Sequence, residues 1–175
     1  MNLISRFCIA AALTSFAALA GCAQSHLHAG AGSYAGQQSR DIKALSGEEV
    51  RAYLEGAGLG FARAAELNRY PGPMHALEHA DALALSAAQR DGLANLMARH
   101  KLEVRALGAE VVELERQLDA LFAGRKATAA AVDEKLARIG AATARVRGSH
   151  LKTHIEATAL MTPGQIERYA QLRGY

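Results

Sequence analysis

Histidines carry most of the chemistry this sequence offers. His150 and His154 are four residues apart, a spacing that places both imidazoles on one face of a helix, within reach of one metal ion. His100 lies on another predicted helix. If Leu121 faces Val132 in an antiparallel pair, His100 faces Thr153, between His150 and His154, and three imidazoles converge. His75, Glu78 and His79 share one face of a short predicted helix over 74–83. His75 or Glu78 would close the site if that helix folds back on the pair. The competing reading is a set of polar residues hydrogen-bonded to neighbours or water. His26 and His28 fall in a polar stretch and are expected to be solvated, or to scavenge metal.

Other chemistry is thinner. His75-Ala-Leu-Glu78-His79 spells H-x-x-E-H, a string used by one metalloprotease group, but such enzymes need a larger mixed fold and a further carboxylate. Gly56, Gly58 and Gly60 do not make a phosphate loop, because Phe61 stands where a third glycine is needed and no strand precedes them. They predict close approach of another helix instead. There is no G-x-S-x-G, and no paired acid and base stands out. The expectation is a protein that is not an enzyme. Its net charge of +3 is interspersed, without the basic stripe that nucleic acid requires.

The first 21 residues read as a secretion signal: Arg6, then an apolar run from Phe7 to Ala20 too short to span a bilayer. Leu19-Ala20-Gly21-Cys22 resembles the lipobox of bacterial lipoproteins, which implies a lipid anchor on Cys22. Ala23 rather than Asp after it resembles lipoproteins sent to the outer membrane, here its inner leaflet. With Cys8 inside the signal, the mature chain keeps no free thiol. Residues 22–44, rich in Gly, Ser, Gln and Ala, are expected to form a flexible tether, and 45–175 a single domain.

What must position the histidines is a pair of long helices. Leu93, Met97, His100, Val104, Leu107, Val111, Leu114, Leu118 and Leu121 recur in steps of 4 and 3. Val132, Leu136, Ile139, Thr143, Val146, His150, Thr153, Ala157 and Leu160 repeat the pattern. Between them Gly124 can stop one helix and Thr128 can cap the next, and so short a loop forces the arms antiparallel. Ser46 and Glu49 predict a capping box for an earlier helix carrying Val50, Leu54, Ala57, Phe61, Ala64 and Leu67, ended by Tyr70-Pro-Gly-Pro73. The fold class is all-α: a long antiparallel helical hairpin flanked by shorter helices.

Two further caps bracket the hairpin: Leu85-Ser86-Ala-Ala-Gln89 and Met161-Thr162-Pro-Gly-Gln165. The pair resembles the two Leu-Thr-x-x-Gln motifs of the Spy/CpxP group of periplasmic helical proteins, with Ser for Thr in the first copy and Met for Leu in the second. The resemblance implies a cradle-shaped homodimer in the periplasm. It implies an ATP-independent chaperone or envelope-stress modulator that binds non-native periplasmic proteins. Arg99, Lys101, Arg105, Arg138, Arg145 and Arg147 would then supply the charged part of the concave face. The group also includes sensors and binders of Zn, Ni or Co, which makes a heavy-metal sensor the alternative. A structural lipoprotein is the second alternative. No cofactor is required for the first and third readings.

Overall fold

The structure is a computed structural model that describes residues 32–175. The expected signal (1–21), Cys22, His26 and His28 lie outside the described residues. The chain divides at Ser33, and the second unit, Tyr34–Tyr175, holds every element below. Six helices follow in order: α1 (Gly47–Glu55), α2 (Arg63–Glu66), α3 (Pro73–Glu78), α4 (Ala87–Ala123), α5 (Ala129–Ala159) and α6 (Pro163–Arg173). α4 has 37 residues, about 55 Å at 1.5 Å per residue.

α4 and α5 form the expected hairpin. Leu93, His100, Val104, Leu107, Val111 and Leu114 of the first seam are buried, as are Val146, His150, Thr153 and Ala157 of the second. Ile139 packs against the buried cluster of Leu107, Val111, Leu114, Ala142 and Val146. The seam loosens at its ends: Leu136 and Leu160 are exposed. α4 also buries Leu96, Gly108 and Val112, because it packs against α1 and α3 as well as α5.

The helix expected to run through Phe61 is two helices. α1 stops at Gly56, whose φ of 65° lies in the left-handed region, and the chain does not become helical again until Arg63. The break lets α1 lie close to α4. A Cβ on Gly56 would stand 2.6 Å from Val104 Cγ2, and one on Gly108 would stand 2.1 Å from the carbonyl oxygen of Tyr53. The expected close approach is therefore real at Gly56; at Gly58 nothing lies within 4 Å. The loop still delivers Phe61 to the hairpin core. α3 is likewise shorter than expected, ending at Glu78 and giving way to turns before Ser86.

Residues 34–44, given to the tether by composition, form successive turns. Ile42 is 1% exposed, and Lys43 bonds Asp119 through both its backbone N–H (3.1 Å) and its ammonium (3.4 Å).

The two bracketing motifs are interlocked capping boxes. Ser86 and Thr162 each accept from the backbone N–H three residues on, and Gln89 and Gln165 each accept from the cap's own N–H. The two glutamines then bond each other, Gln89 Nε2 to Gln165 Oε1 at 2.8 Å and Gln165 Nε2 to Gln89 Oε1 at 3.0 Å. Gln89 also donates to the Leu160 carbonyl at 2.8 Å. Leu85 and Met161 are buried in the same core as Leu93 and Tyr169. The clasp ties the start of α4 to the start of α6. Each of Gln89→Ala and Gln165→Ala should lower unfolding free energy by about 1–2 kcal/mol, since each strands partly buried partners. In urea titrations the double variant should cost clearly less than the two singles together, because they share one interaction.

Candidate metal centre

Two apolar clusters lie along the hairpin, one around Leu93, Leu96 and Ala157, the other around Leu107, Val111 and Val146. Between them, in order along both helices, is a polar layer. Its members, His100, Ser149, His150 and Thr153, are the buried polar residues among those described. Buried polar groups need partners, and three of these side chains form a chain. Glu103 Oε2 lies 2.8 Å from Ser149 Oγ, Ser149 Oγ lies 3.1 Å from His100 Nδ1, and His100 Nε2 lies 3.1 Å from His150 Nδ1. The two rings meet edge on, with centroids 4.6 Å apart. His100 thus points at the second arm, as expected, but at Ser149 and His150 rather than Thr153.

His150 lines one cavity of about 610 Å³ together with His75, His100, His154, Met74 and Met97. Three of these imidazoles share a pattern. Each has a partner at Nδ1: the Glu78 carboxylate for His75 (2.7 Å), the Tyr70 carbonyl for His154 (2.8 Å), and His100 Nε2 for His150 (3.1 Å). A neutral imidazole that donates through Nδ1 has a bare lone pair on Nε2. His150 Nε2 is, among the described residues, the one buried side-chain nitrogen or oxygen without a hydrogen-bond partner. Metal-bound histidines have this form, with the second nitrogen held by a carboxylate, carbonyl or other acceptor. Imidazole nitrogens are donors that a borderline divalent cation takes, and Arg63, Lys101 and Arg173 line the same cavity.

Of the sequence-derived candidates, His75, His100, His150 and His154 share the cavity. Glu78 only holds the His75 ring, and neither it nor His79 lines the cavity. Among the described residues no three His, Cys, Asp or Glu side chains are drawn together as a finished ligand set. His100 has both ring nitrogens within hydrogen-bond distance of a partner, Nδ1 of Ser149 Oγ and Nε2 of His150 Nδ1.

Residues not singled out from sequence complete the surround. Glu66 Oε1 accepts from the hydroxyls of Tyr169 (2.6 Å) and Tyr175 (3.2 Å) and from Arg173 Nε (3.3 Å), tying α2 to α6. Burial, reinforced by Glu66, pushes the Tyr169 phenol well above its ordinary range. Glu66 Oε2 stands 3.5 Å from His154 Nδ1. One signal for Glu103 was available: it follows His100 by three residues, one helical turn.

Burial, then the proximity of His100, His154 and Lys101, lowers His150 to about 4. Burial also lowers His100, against the pull of Glu103 upward. Both rings are held neutral, so protons bind the unfolded chain first as pH falls below its ordinary 6.5. Stability is then full at pH 7 and lost between pH 6.5 and about 4. For His150 the loss should be about 2 kcal/mol, discounted for solvent screening at the cavity. Urea midpoints measured from pH 7.5 to 4 should fall across that window, and a flat profile would contradict the burial of these rings.

Fold and site together define a small all-α protein built on a helical hairpin, with an imidazole-lined cavity beside the seam. The chain belongs to the heavy-metal resistance family, whose model matches residues 52–168. That span contains every cavity histidine. No curated protein and no solved structure matches it.

Proposed function

We propose that this protein binds a divalent heavy metal, Zn²⁺, Ni²⁺ or Co²⁺, in the cell envelope, as a sensor or buffer. The observation that carries this is the bare, buried Nε2 of His150, in a cavity where His75 and His154 also have Nδ1 engaged and Nε2 left over. His150 and His154, one turn apart on α5, would hold the ion, and His75, Met74 and Met97 line the same cavity as further donors. Membership in the heavy-metal resistance family supports the same reading.

The signal-like run over residues 1–21 and the lipobox-like Cys22 support an exported lipoprotein held at the outer membrane, and the resemblance to the Spy/CpxP group implies a periplasmic homodimer. Among the described residues no helix is long and apolar enough to cross a membrane.

A chaperone of the Spy/CpxP kind is the second reading. Leu102, Leu136 and Ile155 are exposed along the hairpin, as a client surface would require. Against it, much of the charge is already paired within the chain. Arg99 meets Glu156 at 3.1 Å, Arg145 meets Glu110 at 2.8 Å, and Arg138 meets Glu134 at 4.0 Å.

Calorimetric titration separates the readings. The metal reading expects one Zn²⁺, Ni²⁺ or Co²⁺ per chain, with a rise in melting temperature. No binding of any of the three, with suppression of client aggregation that survives His150→Ala, would replace it with the chaperone.

A further inference from the structure

We infer that Glu103 and Ser149, neither of which lines the cavity, act through His100 to fix His150 in the ring form that bares Nε2, and so set how tightly the cavity holds a divalent cation. The inference rests on the metal reading of that cavity.

Counting protons along the relay fixes both ring forms. A carboxylate only accepts, so the single hydroxyl proton of Ser149 must lie on the 2.8 Å contact with Glu103 Oε2. Ser149 Oγ then faces His100 Nδ1, 3.1 Å away, with a lone pair, and His100 must donate there. A neutral His100 carrying its proton on Nδ1 has only a lone pair at Nε2. Across 3.1 Å, His150 must therefore donate from Nδ1, and its own lone pair is left on Nε2. Every donor and acceptor in the chain is matched, and the single atom left over is the one a cation would use.

Reversing the chain fails at both ends. If Ser149 donated to His100, its oxygen would face the carboxylate with no proton between them. His100 would then donate to His150, and an N–H would be stranded on the buried, unpartnered Nε2. The negative end of the relay has a second effect. A carboxylate behind a ligating imidazole raises the basicity of the nitrogen offered to the metal, and losing such outer partners costs 10–100-fold in affinity. Ser149 and Glu103 are thus positioning residues, on α5 and α4 respectively, and their role needs both arms of the hairpin in register.

Long-range ¹H–¹⁵N spectra distinguish protonated from bare ring nitrogens, and need no metal. In the metal-free protein His150 and His100 should both carry the proton on Nδ1. Ser149→Ala should return His150 to a mixture of the two ring forms and weaken Zn²⁺ binding about tenfold. Glu103→Gln keeps an acceptor oxygen, so it should preserve the ring form while weakening binding by a smaller factor. His150 found with its proton on Nε2, or Ser149→Ala leaving both spectrum and affinity unchanged, would overturn the inference. If the expected ring forms appear but Zn²⁺ perturbs neither His150 nor His154, the metal reading falls. The role assigned to the pair falls with it, and the ring assignment alone stands.

Discussion

His150→Ala should lower Zn²⁺ affinity by more than about 100-fold, since it removes a ligand where losing an outer partner alone costs 10–100-fold. The same change deletes a buried ring that stacks on Phe61 at 5.8 Å and holds His100 Nε2. It leaves a cavity and an unmatched acceptor, so stability should fall by about 2–4 kcal/mol. His154→Ala keeps the two effects apart. His154 is less buried and stands outside the polar layer, held by the Tyr70 carbonyl. It should lose most of the affinity at a smaller cost in stability. Calorimetry and urea titration on both variants read the two quantities separately. Affinity unchanged in both would place any bound ion elsewhere.

The second large effect concerns the scaffold. Gly108→Ala should destabilise the protein by about 3 kcal/mol, at the upper end for an added methyl in a packed interior. Its Cβ would enter the Tyr53 backbone, 2.1 Å from the carbonyl oxygen and 2.7 Å from the carbonyl carbon, and backbone cannot swing aside as a side chain does. α1 would have to lift from α4, taking Tyr53 away from the cluster it packs against. Gly140 is the control. It is also inside a long helix, but nothing lies within 4 Å of its Cβ position. Gly140→Ala should stabilise by about 0.5–1 kcal/mol through helix propensity alone. Opposite signs for two identical substitutions are the test; equal signs would deny the close crossing of α1 over α4.

How far sequence reaches is visible in these same residues. The hairpin was legible because burial along a helix repeats every three or four residues, and the stripes through Leu107 and Val146 obey that repeat. The caps at Ser46, Ser86, Thr128 and Thr162 were legible because a cap is local chemistry. The clasp between Gln89 and Gln165 was not, since its partners stand 76 residues apart and meet only after folding. The break after α1 was hidden because Phe61 is needed by the core and so keeps the helical spacing through a loop.

The site was half legible. A stripe fixes which face of α5 meets His100, but Ser149, His150 and Thr153 lie within about one turn on that stripe. Axial position therefore slid from Thr153 to the Ser149–His150 pair. That slide changes the chemistry on offer, because it gives both ring nitrogens of His100 a hydrogen-bond partner. The Tyr70 carbonyl that orients His154 is backbone, and no side-chain pattern announces it.

The most direct measurement is a crystal structure of the protein soaked with Ni²⁺ or Zn²⁺, with the ion located by anomalous scattering. One ion should be found, bonded at about 2.1 Å to Nε2 of both His150 and His154. An ion bound only at surface carboxylates, or to Nδ1 of either ring, would contradict it.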